Sequence, residues 1–334
     1  MAQTTRSTIR WGILATGKIA HSFADDLALV PGAELTAVGS RRFESAQAFA
    51  DQHGGRAHGS YEDLVADPDV DVIYVATPHS MHLANTRLAF EAGKHVLCEK
   101  PLTLNLAQAE EMVRLAIEHD RFLMEAMWTA CNPVIRTLAD GVRAGRFGTP
   151  RQAFAELGFV VDQGPEHRLL DPSLGASALL DMGIYPLTFC HLMLGEAQSL
   201  TASAVLSDSG IDLDIAMTGR YAGGALGLMG ASMTSWSSRA AAVATDEGRL
   251  DVPAQFHHPT YAVWTPAGGE PERITGAAPV IGQGYGNEIA EVGRCLSEGL
   301  RESPWVPHAQ TLTLMRQLDD VRRQVGVRYA VDPT

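Results

Sequence analysis

The stretch Ile9-Arg10-Trp11-Gly12-Ile13-Leu14-Ala15-Thr16-Gly17-Lys18-Ile19-Ala20 decides the fold of this chain. Its first half is an apolar run of strand length. Its second half opens a helix whose apolar residues recur at helical spacing, at Ile19, Phe23, Leu27 and Val30. Between the two, Ala15, Gly17 and Ala20 occupy the three positions of the pattern G-x-G-x-x-G/A. A strand, a tight turn and a helix in this order predict the start of a βαβ unit.

The alternation of strands and helices continues through the first third of the chain. Apolar runs of strand length lie at 35–39, 70–76, 95–98 and 122–126. Helical patterns separate them, at 44–53, after the capping pair Ser60 and Asp63, from Ser80 to Gly93, and after Asn105. This pattern predicts an α/β fold whose N-terminal part is a doubly wound parallel sheet of the Rossmann type.

The pattern changes after Trp128. Asn132-Pro133 is typical of a helix start, and further helices are expected at 176–194, 287–300 and 308–325. Apolar residues at 211, 213, 215 and 217 alternate with Asp212, Asp214, Ala216 and Thr218, which predicts a strand with one exposed face. We therefore predict two domains, residues 1–126 and residues 127–334, the second an α+β domain with an open, mostly antiparallel sheet.

Bulk composition excludes several classes of function. The 334 residues carry a formal net charge of −13 and show no basic patch, so neither nucleic acid nor an anionic membrane is expected as a partner. No apolar run approaches the length of a membrane span, and the N-terminus lacks the apolar core of a signal peptide. The four scattered cysteines predict buried thiols in a reducing cytoplasm.

The turn after the first strand is suited to binding phosphate. Backbone N–H groups and the positive end of the following helix attract the pyrophosphate of a dinucleotide, here around Ala15, Thr16, Gly17, Lys18 and Ile19. The alternative is a tight turn that needs only one glycine, and Ala15 departs from the usual first glycine. We favour the cofactor interpretation because the pattern and its context, a strand before and a helix after, agree.

The end of the second predicted strand indicates which dinucleotide binds. NAD sites usually have an acidic residue there for the ribose 2′-hydroxyl, whereas this chain has Ser40, Arg41 and Arg42. A hydroxyl followed by two guanidinium groups suits a 2′-phosphate, since arginine can bind phosphate bidentately. The alternative is a pair of surface arginines. We predict NADP as the cofactor, with NAD possible.

A third cofactor segment is expected after the strand at 70–76. Thr77, Pro78 and His79 follow that strand at the edge along which dinucleotides bind. His79 and His82 are spaced like metal ligands, but no third ligand stands at suitable spacing, so no metal is expected. Both histidines are instead expected near the nicotinamide or as polar groups at a helix start.

The candidates for proton transfer lie at Glu99-Lys100-Pro101 and at Asp181-Met182-Gly183-Ile184-Tyr185-Pro186. Lys100 closes an apolar strand at the sheet edge where ligands bind, and a partly desolvated lysine is a local cation or a proton donor. Asp181 and Tyr185 are four residues apart and share a helix face. The alternatives are a lysine that reaches into solvent and a buried tyrosine bonded to the aspartate.

Together these residues suggest a division of roles. Hydride transfer requires an acid or base for the substrate oxygen, and tyrosine serves when a cation lowers its pKa. We expect Tyr185 to exchange the proton, Lys100 to hold the oxygen, and Asp181 to orient the pair or a substrate hydroxyl. Glu99 is expected to pair with a ribose or a neighbouring amide. Trp128 is expected to stack on a sugar ring.

In these motifs, and in Thr77-Pro78, Glu99-Lys100-Pro101-Leu102-Thr103 and Met124 to Thr129, the chain resembles the glucose–fructose oxidoreductase, inositol dehydrogenase and rhizopine-catabolism family. The likeness is closest to its dimeric dihydrodiol dehydrogenase and NADP-linked D-xylose dehydrogenase branch. The resemblance implies a Rossmann domain, a second domain for substrate binding and oligomer contacts, and a catalytic pair that would fall on Lys100 and Tyr185. It also implies a cis Lys100–Pro101 bond. The alternating, half-buried sheet of the second domain predicts a homodimer or homotetramer that forms through this C-terminal sheet.

One segment departs from that branch. Ala130-Cys131-Asn132 stands where the branch usually has arginine and aromatic residues, which indicates a larger, less cationic pocket and puts xylose and dihydrodiols in doubt as substrates. The predicted function is a cytoplasmic NADP-dependent oxidoreductase acting on a sugar, a polyol or a related hydroxyl or keto compound. The alternatives are a non-catalytic nucleotide sensor on the same fold and a reductase of a non-sugar carbonyl.

Overall fold

The structure is a computed structural model that describes residues 8–164 and 167–332. Its packing divides the chain into two compact units. The first unit consists of the chain up to Thr103 together with Ala107–Trp128 and Val280–Thr311. The second unit consists of Leu104–Leu106, Thr129–Pro279 and the chain from Leu312 onward.

The sheet of the first unit has six parallel strands in the order β3-β2-β1-β4-β5-β6. The order reverses between β1 and β4, which makes the carboxyl ends of these two strands the expected binding crevice. The predicted doubly wound parallel sheet is confirmed. The strands are β1 (Ile9–Leu14), β2 (Ala33–Gly39), β3 (Arg56–His58), β4 (Val72–Val75), β5 (His95–Glu99) and β6 (Leu123–Ala126).

Five helices follow strands β1 to β5 in turn: α1 (Lys18–Leu27), α2 (Phe43–His53), α3 (Tyr61–Ala66), α4 (His82–Glu91) and α5 (Leu106–Glu118). The predicted cap of α3 is confirmed, because the Ser60 hydroxyl accepts a hydrogen bond from the Asp63 N–H at 3.0 Å. The predicted start of α4 at Ser80 is wrong. A 3₁₀ turn, His79–Met81, precedes that helix, and within it the Met81 N–H bonds to the Pro78 carbonyl at 2.9 Å.

The segment Val280–Thr311 completes the first unit although it comes late in the chain. Its helix α9 (Tyr285–Ser297) packs against α1. The buried carboxylate of Asp26 on α1 accepts the N–H groups of Gln283 at 2.9 Å, Gly284 at 3.1 Å and Gly286 at 3.2 Å. The structure thus differs from the predicted 127–334 domain, because Asp26 satisfies the start of a helix far away in sequence.

The second unit contains an eight-stranded sheet in the order β14-β13-β12-β11-β7-β10-β9-β8. Among the described strands of this sheet, β7 and β10 form the only parallel pair, so the predicted mostly antiparallel sheet is confirmed. The strands are β7 (Pro150–Gly158), β8 (Ser199–Leu206), β9 (Asp212–Arg220), β10 (Leu226–Ser232), β11 (Ala241–Thr245), β12 (Gly248–Val252), β13 (Ala262–Pro266) and β14 (Glu272–Ile274).

The remaining helices are α6 (Trp128–Cys131), α7 (Pro133–Arg143), α8 (Ile184–Leu194) and α10 (His308–Val325). The predicted start of α7 is confirmed, since the Asn132 side chain accepts the Val134 N–H at 2.9 Å. The four cysteines are buried free thiols, as predicted. The stretch Pro172–Leu194 is long and apolar enough to cross a membrane, but 83% of its most apolar window is buried inside the protein, as in a core helix.

Strand β9 follows the predicted alternation from Ile215 onward. Ile215 and Met217 are buried, while Ala216 and Thr218 are exposed. Asp212, which is predicted on the exposed face, is fully buried, and its carboxylate accepts the Leu179 N–H at 2.6 Å. The pairing register shifts at this point, since Val205 is paired with Asp214 and Leu206 with Asp212, so Leu213 is an extra residue that breaks the alternation.

The predicted helix at 176–194 contains a π-helical turn, Leu179–Gly183, immediately before α8. Such wider turns inside helices are frequent at functional sites. Pro186 lacks an N–H for the turn before it, and Gly183 leaves little room for a side chain, because an added β-carbon would lie 3.1 Å from Leu179 Cδ1. The irregular turn and the two helix-breaking residues therefore coincide in the segment that carries Asp181 and Tyr185.

Candidate functional site

The turn between β1 and α1 has the features of a phosphate-binding loop. Gly17 caps α1 with an extended backbone, and a β-carbon added at Gly17 would meet no protein atom within 4 Å. Packing therefore does not require glycine here, whereas a ligand that approaches the backbone does. Within the described part of the chain no side chain caps α1, so its first N–H groups are left for an anion. These features fit a dinucleotide pyrophosphate.

Ala15 keeps the backbone of the glycine that it replaces. Its φ angle is +91°, in the region that favours glycine, and its N–H bonds to the Gly39 carbonyl at 3.0 Å. For a residue with a β-carbon, this backbone conformation is less favourable than a right-handed one by roughly 1–2 kcal/mol. The turn geometry of the pattern is thus preserved at Ala15 despite the departure in sequence.

Two exposed arginines, Arg41 and Arg42, follow β2. The Arg42 N–H bonds to the Ser40 hydroxyl at 3.5 Å, so these residues form one short turn. Burial raises the pKa of Tyr61, whereas the positively charged Arg41 guanidinium acts to lower it. Tyr61 was not among the predicted site residues, because an aromatic residue at the start of α3 carries no recognisable motif.

The loop after β4 is held by His82. Its Nε2 lies 2.9 Å from the Thr77 carbonyl oxygen, and its Nδ1 lies 3.0 Å from that of Pro101. His82 is fully buried, which lowers its pKa, and His79 beside it is buried as well. The structure therefore leaves His82 no surface for the predicted cofactor contact. It instead links the Thr77-Pro78 loop to the Lys100-Pro101 loop.

Lys100 follows directly after β5, and its bond to Pro101 is cis, as the resemblance implies. The residues after it are fixed from a second side by Glu125 on β6. The Glu125 carboxylate accepts the Leu102 N–H and the Thr311 hydroxyl, each at 2.9 Å. Burial raises the pKa of Glu125. Two buried side chains, His82 and Glu125, thus fix the backbone that follows Lys100.

Beneath this loop lies a buried group of acidic and phenolic side chains. The Tyr74 hydroxyl donates to the Glu99 carboxylate, and burial, followed by the charge of Glu99, raises the pKa of Tyr74 well above its usual value. Glu288 on α9 is fully buried, and among the described residues neither of its carboxylate oxygens has a hydrogen-bond partner. Burial and the nearby Glu99 and Asp26 raise the pKa of Glu288 well above the ordinary value.

Trp128 is 9% exposed and stacks on Tyr285, with ring centroids 4.3 Å apart and an interplanar angle of 12°. The stack covers one face of the indole, and the contact with a sugar ring stays a prediction. In the departing segment that follows, Cys131 and Asn132 are buried, and Asn132 donates to the Pro259 carbonyl at 3.1 Å. Asn132 therefore has a structural role besides capping α7.

In the second unit, Asp181 lies in the π-helical turn and Tyr185 in the first turn of α8. The Arg168 guanidinium donates to the Asp181 carboxylate at 3.1 Å. The Tyr185 ring packs against His257, with centroids 5.0 Å apart at 48°. Neither Arg168 nor His257 was predicted, because both lie in irregular segments without a motif. The predicted pairing of Lys100 with Tyr185 stays a prediction.

Comparison with known proteins places the chain in a family. Residues 9–127 match the model of an oxidoreductase family with an NAD-binding Rossmann fold, and residues 135–251 match the GFO/IDH/MocA C-terminal domain. The chain belongs to the GFO/IDH/MocA oxidoreductase family. The predicted family, Rossmann fold and enzyme class are confirmed.

Relatives with defined reactions cover nearly the whole chain. Trans-1,2-dihydrobenzene-1,2-diol dehydrogenase from Danio rerio is 34% identical over 97% of this chain and 99% of its own. The D-xylose 1-dehydrogenase (NADP(+)) of Hypocrea jecorina is 33% identical over 98% of this chain and 95% of its own. KijD10 is a 3-ketoreductase from Actinomadura kijaniata whose structure was solved with NADP and TDP-benzene. It is 26% identical and covers 97% of this chain and 99% of its own, with a TM-score of 0.86. These relatives confirm the predicted branch.

The buried Glu288 predicts how stability depends on pH. An unfolded glutamate titrates near pH 4.3, whereas folding raises the pKa of Glu288, so the native state binds more protons in between. This group therefore stabilises the fold less as pH rises from about 4.3. Glu288→Gln removes that loss, and we expect its gain in the free energy of unfolding over wild type to grow with pH, by up to about 1.4 kcal/mol per pH unit.

The measurement is urea unfolding of both proteins at pH 5 and pH 8. Glu110→Gln, a change at an exposed glutamate on α5, is the matched control and should show no such growth. An equal difference between Glu288→Gln and wild type at both pH values would contradict a raised pKa at Glu288.

Proposed function

We propose that this chain is an NADP-linked oxidoreductase that acts on a sugar, a polyol or a related hydroxyl or keto compound. Cofactor binding is assigned to the parallel-sheet unit and substrate binding to the second. The observation that carries the proposal is the presence of both acid–base candidates, Lys100 directly after β5 and Tyr185 one helical turn after Asp181. Solved variants of the ketoreductase relative replace a lysine and a tyrosine, the same two residue types.

When bound, the nicotinamide accepts or supplies the hydride. In the direction of oxidation, Tyr185 takes the proton from the substrate hydroxyl, and in reduction it returns that proton. Lys100 holds the same oxygen, and its charge lowers the pKa of Tyr185 so that the phenol can serve as a base. Asp181, with Arg168 bonded to it, binds a neighbouring hydroxyl of the substrate.

The substrate class follows from this chemistry. A carboxylate and a guanidinium side by side offer both acceptors and donors to hydroxyl groups, which suits a neutral polyhydroxy compound. The relatives that act on xylose and on a dihydrodiol support this class. A non-catalytic sensor is disfavoured because it has no need for both Lys100 and Tyr185. A cytoplasmic location belongs to the same proposal and is supported by the four free thiols.

Removal of either acid–base group tests the proposal. We expect Lys100→Met and Tyr185→Phe each to lower kcat by about 10²–10⁴-fold, the usual size of an acid–base contribution. The assay follows nicotinamide absorbance with the best substrate from a panel of aldoses, polyols and diols.

Matched controls are Lys94→Met and Tyr221→Phe. Tyr221 is a buried tyrosine directly after β9, and its change to phenylalanine should leave kcat near the wild-type value. Lys94 lies just before β5 and its ammonium donates to the carbonyls of Asp67 and Val70, so its loss should lower the melting temperature while kcat stays within about threefold. Unchanged turnover in both Lys100→Met and Tyr185→Phe would overturn the mechanism.

The preference for NADP is assigned to Ser40, Arg41 and Arg42. Both arginines are exposed at the end of β2, and the charge of Arg41 opposes the rise that burial causes in the pKa of Tyr61. Two guanidinium groups at this edge can bind a 2′-phosphate through charge-assisted, bidentate hydrogen bonds. The NADP named with the xylose dehydrogenase and the ketoreductase supports the assignment.

We expect Arg41→Ala to raise KM for NADP by about 10–100-fold, the value of a charge-assisted hydrogen bond, and to leave KM for NAD nearly unchanged. Arg143→Ala, at an exposed arginine on α7, is the control and should change neither constant. Equal losses with both cofactors, or no loss with either, would contradict the assignment.

The open face of the second sheet supports a homodimer or homotetramer. Helix α8 packs on the sheet at β7 and β10, and the side chains that alternate with the buried ones on these strands are exposed. Apolar residues on neighbouring strands lie side by side there, because Leu228 on β10 is paired with Phe154 on β7. The exposed apolar side chains are Phe154 (41%), Leu226 (44%), Leu228 (42%) and Val205 (60%).

Burial of this patch against a second copy would remove the apolar surface from water. We expect wild type to sediment as a dimer or tetramer at micromolar concentration and Leu228→Asp to shift it toward monomer. Leu29→Asp, at a leucine that is 57% exposed in the first unit, is the matched control and should not change the sedimentation. A monomeric wild type would count against the proposal.

A further inference from the structure

The segment that carries Asp181 and Tyr185 begins with backbone N–H groups that need acceptors from outside the helix. Ser177 supplies two of them, since its hydroxyl accepts the Leu180 N–H and its carbonyl accepts the Asp181 N–H, each at 3.0 Å. The third acceptor is the Asp212 carboxylate, 33 residues further along the chain, which accepts the Leu179 N–H at 2.6 Å. One local and one distant residue therefore fix the start of this helix.

An aspartate at position 212 is an unusual acceptor for the Leu179 N–H. Its side chain is fully buried, and its second oxygen, Oδ1, has no hydrogen-bond partner among the described residues. An asparagine could accept the same hydrogen bond without bringing an ionisable group into the interior. Burial raises the pKa of Asp212 to about 6, and the charge of Asp181 adds to the shift. The anchor therefore changes its protonation state within the range in which enzymes operate.

The C-terminal segment holds the same turn from another side. The Tyr329 hydroxyl donates to the Ala176 carbonyl at 3.2 Å. Tyr329 is itself fixed by its N–H bond to Asp332 at 2.9 Å and by the Arg322 guanidinium, which lies 4.8 Å from the centre of its ring. Arg322 also bonds to Asp332 at 2.8 Å. Contacts from β9 and from the C-terminal segment thus hold the turn, and its mobility depends on these contacts.

We infer that Asp212 is a positioning residue for the acid–base site: its ionised form anchors the turn from which Asp181 and Tyr185 project. The inference rests on the proposed function for the roles of Asp181 and Tyr185, but the anchoring contact does not. A carboxylate is a stronger acceptor for the Leu179 N–H than a carboxylic acid is, so protonation of Asp212 loosens the turn.

Charged and titratable groups from neighbouring segments surround Asp212. Asp181, on the turn that Asp212 anchors, carries a like charge. Tyr329 faces Asp212 from the C-terminal segment, and Arg322 of α10 lies behind the Tyr329 ring. Below about pH 6 the loss of the Asp212 charge weakens the anchor. A displacement of reacting groups by about 1 Å can lower the rate by about 10²-fold, so kcat should decline in this range.

The test compares Asp212→Asn with Asp212→Ala. The asparagine oxygen keeps the hydrogen bond without titrating, so we expect near wild-type kcat at pH 8 and no decline through pH 6. The alanine variant loses the anchor, and we expect kcat to be about 10–100-fold lower at pH 8 with an unchanged Kd for NADPH. Ile274→Ala, on the strand at the opposite edge of the sheet, controls for general destabilisation and should lower the melting temperature without changing kcat.

Hydrogen exchange separates this inference from the proposed function. In Asp212→Ala the amides of Leu179 and Leu180 should exchange at least about tenfold faster than in wild type, whereas Asp212→Asn should protect them. Equal exchange in both variants, or a wild-type pH profile in Asp212→Asn, would overturn the anchor even in an active enzyme. Unchanged turnover of Tyr185→Phe would instead overturn the proposed function, and the exchange result would still stand.

Discussion

Buried backbone N–H groups must find acceptors, and in this chain carboxylates from distant segments meet that requirement at decisive points. Asp26 accepts three N–H groups at the start of α9, Glu125 accepts that of Leu102 after the candidate lysine, and Asp212 accepts that of Leu179. Each of these side chains is buried. They decide where the late helix docks and how the two candidate catalytic segments are held.

Local sequence patterns predicted most of the architecture because they depend on neighbours in the chain. A few consecutive residues are enough to indicate the turn after β1, the apolar strand at β4 and the Asn132-Pro133 helix start. Strand β3 was missed because three residues that include Arg56 and His58 show no apolar run. The π-helical turn was missed since only Gly183 and Pro186 hinted at it.

The long-range carboxylates could not be predicted in the same way. Asp212 fits the alternation of an exposed strand face, and Asp26 is an ordinary helix residue, so the sequence indicates nothing about their burial. The same holds for His82, whose position suggested a ligand contact but whose ring joins two loops. Residue types reveal what chemistry is available, whereas the partner of a buried polar group depends on which segments the fold brings together.

The return of Val280–Thr311 to the first unit constrains how the protein can be made. On the ribosome the N-terminal segments emerge early, but the three N–H groups that bond to the Asp26 carboxylate belong to residues 283–286, which are synthesised much later. The whole sheet of the second unit is translated in the meantime. The first unit is therefore completed only after the sheet of the second unit has been translated, and a fragment that ends after β6 lacks part of its own core.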